Sequence, residues 1–181
     1  MPKNSSWFNR DGLVVGFGTR SVDSLGAAQV SDHAGERILT FKITDLTQLG
    51  TAATGGTGIY APQYFSSAVM IPANATVQEV RITTDVAATS GGAADLLLGT
   101  YTISSSTGAL VAVDDDGLCA AADNALADFS VAGETLVLGK AATAALIGKT
   151  TVGASPVVIA PIYVTAAFTA GALSVTVKYT Q

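Results

Sequence analysis

The chain has 181 residues, the size of one domain with a real hydrophobic core. Charged residues make up 13% and the net charge is −5, and the basic residues are scattered singly. That argues against a nucleic-acid interface, which needs Lys and Arg clustered on one face to neutralise phosphates. Alanine, threonine and glycine supply 31, 22 and 19 residues, so the chain depends on small side chains and tight turns.

The opening stretch, MPKNSSWFNRDGLVVGFGTR, carries Asn, Ser, Arg and Asp where a signal peptide needs an unbroken apolar run, so the protein is expected to be soluble and not exported. Trp7 and Phe8 stand ahead of the first strand. Large aromatics in that position anchor interfaces, and residues 1–12 read as an extended N-terminal arm. Asn9-Arg10-Asp11-Gly12, with Arg10 inside it, supplies a turn. Residues from Leu13 to Phe17 then form a strand that joins a sheet of this subunit or of a neighbour. Gly16-Phe17-Gly18 is no dinucleotide loop, because Ser21 stands where the third glycine would be and no βαβ pattern follows.

From residue 13 to 181 the chain reads as a single domain whose dominant period is two. In RILTFKI, Leu39, Phe41 and Ile43 share a face opposite Thr40 and Lys42. In VRITTDV, Val80, Ile82 and Val86 oppose Arg81, Thr83 and Asp85. In ALSVTVKYT, Leu173, Val175, Val177 and Tyr179 oppose Ser174, Thr176 and Lys178. Alternation of this kind marks half-buried antiparallel strands.

Further strands are expected at 64–71, 96–103, 109–113, 134–138 and 157–164. Turn signals separate them at Ser90-Gly91-Gly92, Ser106-Thr107-Gly108, Asp116-Gly117, Ala132-Gly133 and Ala170-Gly171-Ala172. The fold class is therefore all-β, an antiparallel β-sandwich or jelly-roll-like domain. Short helical excursions are expected at 118–129 and 140–148, the second stopped by Gly148. The apolar run at 156–164 is too short for a membrane span and holds two prolines. Residues 50–63, with four glycines and no period, form a long loop, and such loops are functional or mobile.

No motif demands an enzyme. His33 is the only histidine and lies in the polar stretch SDHAGE, a poor setting for a catalytic base. Cys119 is the only cysteine, so there is no internal disulfide, and no cluster has zinc-ligand spacing. Asp123 and Asp128 carry no mark of a glycosidase pair. Asp114-Asp115-Asp116-Gly117 departs from the EF-hand pattern, since Ala125 and Ala127 stand where its glutamate would be, and reads as a turn. No catalytic, cofactor or metal site is expected. Tyr60, Tyr64 and Phe65, in or after the long loop, could stack on sugars, or Tyr64 and Phe65 could begin a strand.

The segment from Trp7 to Gly18 resembles the aromatic-Asn-x-Asp-Gly-Leu-x-Val-x-Phe-Gly opening of tailed-bacteriophage capsid decoration (cement) proteins, small virion proteins commonly encoded beside the major capsid protein. Residues 71–101 are similar to their strand, Ala-Ala-Thr-Ser-Gly-Gly, strand hairpin. Residues 136–151 and 166–179 are similar to their closing segments, and 31–41 to the strand after their arm. The resemblance implies a homo-oligomer, a trimer ahead of a dimer, that is made in the host cytoplasm. It would bind the major capsid protein on the outer surface of an icosahedral head and brace neighbouring capsomers, with no nucleic acid and no membrane among its partners. Trp7, Phe8, Arg10, Leu13, Tyr60 and Tyr64 are the expected interface residues. The alternative is a host-glycan-recognising head-fibre or tail module acting through residues 50–65.

Overall fold

The computed structural model describes residues 5–8, 14–17, 29–33, 35–50, 69–104 and 110–181, the first three segments as backbone only. Strands β1 (Ser5–Phe8) and β2 (Val14–Phe17) pair with each other in a two-stranded sheet. The remaining strands are β3 (Gln29–His33), β4 (Glu36–Ile43), β5 (Met70–Ile71), β6 (Thr76–Ser90), β7 (Asp95–Ile103), β8 (Leu110–Cys119), β9 (Thr135–Leu138), β10 (Val157–Val164) and β11 (Phe168–Thr180). They form a four-stranded sheet, β5-β10-β7-β8, and a five-stranded sheet, β3-β4-β11-β6-β9. Every pairing within these sheets is antiparallel. One apolar core drawn from both sheets lies between them, so the domain is the expected all-β sandwich.

The period-two segments explain the five-stranded sheet. Leu39, Phe41 and Ile43 of β4, Val80 and Ile82 of β6, and Leu173, Val175, Val177 and Tyr179 of β11 are buried. Their alternate neighbours face out and bond across strands. Thr40 meets Thr176 at 3.2 Å, Thr83 meets Thr135 at 2.9 Å, and Asp85 accepts from Lys42 at 3.3 Å and from Ser174 at 2.7 Å. Cross-strand hydroxyl and charge pairs of this kind each contribute a few tenths of a kcal/mol, up to about 1 kcal/mol, and fix register.

The four-stranded sheet is built differently. VVIAPIYV in β10 is buried from Val157 to Ile162, and Leu96, Leu97 and Leu98 of β7 are all buried. A continuous apolar run is what a strand buried on both faces requires. Pro161 fits because no strand is paired to that edge of β10 there among the described residues: the amides of Ile159 and Tyr163 donate to the carbonyls of Val69 and Gly50, and Pro161 between them has no N–H to place.

Several expectations are corrected. Ala170-Gly171-Ala172 is not a turn but an irregular part of β11, with register shifts on both sides of Ala170 and Ala172. Gly171 has φ +133, and a Cβ there would stand 2.6 Å from Leu46 Cδ1 and 2.9 Å from Ala88 Cα, so glycine marks a bulge with close packing. The same irregularities shift the phase of β6 beyond Thr84. Val86 is therefore 55% exposed instead of sharing the buried face of Val80 and Ile82. Ser90-Gly91-Gly92 does turn the chain, but it joins β6 to β7 across the two sheets and closes no hairpin.

Asp116-Gly117 lies inside β8, which runs on to Cys119. The Ala-rich segments are not two- or three-turn helices. Residues 118 and 119 finish β8, short 3₁₀ turns follow at Ala121–Asp123 and Leu126–Phe129, and 140–148 is a chain of turns. Their main-chain groups find distant partners: Leu146 N donates to Gly117 O at 2.9 Å and Gly148 N to Val77 O at 2.6 Å. Satisfaction by tertiary contact replaces the helical ladder. Strand β3 was not marked by alternation and joins the sheet beside β4.

Candidate functional site

Of the six expected interface residues, Trp7 and Phe8 lie in β1, opposite Val15 and Val14 of β2 in backbone register. Arg10, Leu13, Tyr60 and Tyr64 lie outside the described residues, as do the Asn9–Gly12 turn, Phe65 and residues 51–63 of the loop. His33 ends β3, opposite Glu36.

Cys119 is buried, and its surroundings suit packing. Burial first, then the charge of Asp123, push its thiol up to about 12, against a smaller opposing hydrogen bond from Asn124. A thiol held protonated at neutral pH is a weak nucleophile.

The segments around Cys119 act as a clamp. The Asn124 side chain accepts from Leu96 N at 2.9 Å and donates to Leu96 O at 2.8 Å and Ala120 O at 2.8 Å. Leu96 lies on β7 two residues before Leu98, the last partner of β8, so the Asn124 amide takes the place a further strand residue would fill. Asp123 accepts from Thr143 N at 2.5 Å and Ala144 N at 2.8 Å, tying the turns at 140–148 to the end of β8. Burial opposes its ionisation, but these amides and that of Ala120 outweigh it and hold the carboxyl below its ordinary range. Lys149 Nζ donates to the carbonyls of Ala142, at 2.6 Å, and Ala144, at 3.0 Å. Asp123 and Asp128 are thus backbone caps, the latter accepting from Ala125 N at 2.8 Å.

The surface with most to offer a partner is the open edge of the four-stranded sheet. Strand β8 pairs only with β7 among the described strands. Near the start of β8, Val111 and Val113 are 51% and 53% exposed, and Ile103 at the end of β7 is 56% exposed. An unpaired strand edge with apolar side chains invites another chain.

Further along, the edge is interrupted. Between the pairs Leu98↔Cys119 and Thr100↔Asp114 the register slips, and β8 bulges across β7. A Cβ on Gly99 would stand 2.5 Å from the Asp115 Cα and carbonyl oxygen, so only glycine admits this crossing. The bulge gathers Asp114, Asp115 and Asp116, with a carboxylate oxygen of each within 4.8 Å of the others. Burial first, then a hydrogen bond with Asp116, raise the Asp114 carboxyl above its ordinary range.

The edge valines were legible only as a strand, and the bulge only as a turn. No signal in the sequence marks the Asn124 clamp beyond polar residues set in an Ala-rich run, where they disfavour helix.

The class defined by these features is an antiparallel β-sandwich in which β8, with its exposed valines, pairs only with β7 among the described strands. No protein-family model matches the chain, and no curated protein matches it. Among solved structures it is similar to a chain of the capsid of Ralstonia phage GP4, with a TM-score of 0.50 and 18% sequence identity, over 84% of this chain and 89% of that one. The likeness establishes a shared fold. Among the described residues no helix is long and apolar enough to cross a membrane.

Proposed function

We propose that this protein is a non-enzymatic structural component of a bacteriophage virion, specifically a capsid decoration (cement) protein. It binds the major capsid protein on the outer surface of an icosahedral head and braces neighbouring capsomers as a homo-oligomer. The observation that carries the reading is the fold shared with a chain of the capsid of Ralstonia phage GP4 over most of both chains.

The molecule suits the task. A brace needs a rigid scaffold and surfaces that repeat by symmetry, and many weak contacts repeated over a shell become collectively strong. The clamp at Asn124, Asp123 and Lys149 supplies rigidity. The β8 edge at Val111 and Val113 offers main-chain groups and apolar side chains to an added strand. Trp7 and Phe8 in the two-stranded sheet are the aromatic anchors of the arm. Sedimenting the purified protein with empty expanded heads of the same virus tests the reading. Saturable co-sedimentation at a fixed ratio to the major capsid protein is the expected result, and a protein left wholly in the supernatant would overturn it.

A further inference from the structure

We propose that the β8 bulge is a calcium site in which Asp114, Asp115 and Asp116 supply carboxylate oxygens and the Tyr101 hydroxyl bonds to the ion's water shell. The site goes beyond the virion reading and does not depend on it.

Three observations carry it. The first is spacing. Calcium holds oxygens at about 2.3–2.6 Å, so two ligands on opposite sides of one ion stand roughly 4.6–5.2 Å apart. The three carboxylates, each with an oxygen within 4.8 Å of the others, are close enough for one ion to bridge them once the hydrogen bond between Asp114 and Asp116 opens. Calcium accepts irregular oxygen sets such as three carboxylates on a bulge, whereas magnesium demands strict octahedral geometry and sheds its waters reluctantly.

The second is Tyr101. It is fully buried, and its hydroxyl has no hydrogen-bond partner. A buried hydroxyl left unbonded costs about 1–3 kcal/mol, which a ligand or its water can recover. Tyr101 is two residues along β7 from Gly99, hence on the same face of the strand, and Asp115 crosses that face directly over Gly99. Burial is the larger effect on its hydroxyl, and the charges that raise it further are those of Asp115, Asp114 and Asp116.

The third is charge. The described ion pairs join Lys42 to Asp85, Arg81 to Glu79 and Lys178 to Glu36, and none reaches the bulge. Three adjacent acids with no basic partner among the described residues repel one another, and a divalent cation removes that repulsion.

The test uses the purified full-length chain. Calcium chloride titrated calorimetrically into metal-free protein should give one saturable site. Millimolar calcium should raise Tm by roughly 3–5 °C, as expected for a site ten-fold saturated in a domain of this size. The double variant D114N/D116N should lose both the heat and the shift, while its metal-free Tm stays at or above that of the parent because like charges are gone. Terbium(III) provides a second readout: excitation of tyrosine should give ion emission that calcium displaces and that Tyr101→Phe abolishes. No heat and no Tm shift in the parent protein, or calcium binding that survives in the double variant, would overturn the site.

Discussion

Replacing Asn124 by alanine tests the clamp that joins the end of β8 to β7. The side chain makes three hydrogen bonds to main-chain groups, at 2.9 Å to Leu96 N, 2.8 Å to Leu96 O and 2.8 Å to Ala120 O, and it is 8% exposed. Truncation leaves one amide and two carbonyls without these partners in a site closed to bulk water. Each unsatisfied buried group costs about 1–3 kcal/mol, and partial relaxation places the total near 3 kcal/mol.

In a domain of this size 1 kcal/mol moves Tm by roughly 2–4 °C, so Asn124→Ala should lower Tm by roughly 6–12 °C in thermal unfolding followed by circular dichroism. Asn124→Asp is the sharper variant. It keeps an acceptor for Leu96 N but sets a carboxylate oxygen against the two carbonyls, so it should be no better than alanine. An alanine variant within about 2 °C of the parent would refute the view that this amide substitutes for a strand.

Two further outcomes are expected. Asp123 has a folded-state pKa below its unfolded value, so its contribution is fully present above about pH 4 and is lost as pH falls through the folded value. The stability gap between the parent and Asp123→Asn should therefore be constant from neutrality to about pH 4 and narrow below it, as read by urea unfolding across pH. A gap that widens on acidification would contradict the assignment. Deleting residues 1–12 should leave the thermal transition of the sandwich in place and weaken self-association or head binding, as read by analytical ultracentrifugation and co-sedimentation. Unchanged assembly would show that the arm carries no contact.

The sandwich was legible where one face of a strand is buried and its pairing is regular. RILTFKI and ALSVTVKYT place their alternate residues as the pattern requires, and the unbroken apolar run VVIAPIYV coincides with β10. Legibility ends where long-range contacts decide. Gly171 looks like a turn residue until Leu46 and Ala88 are seen against it. Asp116-Gly117 carries turn chemistry, but the bulge over Gly99 absorbs it within a strand. The Ala-rich run around Asn124 has helical composition, yet its polar groups bond to β7 and to residues 143 and 144, which no local pattern encodes.

The candidate surfaces divide in the same way. Trp7 and Phe8 stand out because aromatics ahead of a strand are conspicuous in sequence. Val111 and Val113 do not, since their place on a strand that pairs only with β7 among the described strands is a property of topology. The acids at 114–116 were visible as a run, but the gathering of their carboxylates and the crossing of Asp115 over Gly99 depend on the register slip between β7 and β8.

The most direct test of the virion assignment is a cryo-electron microscopy comparison of heads assembled with and without this protein. The account predicts difference density on the outer surface, repeated with the icosahedral symmetry and bridging adjacent capsomers, into which the two-sheet sandwich fits. Heads that show no added density, or density confined to the interior or to the tail, would contradict it.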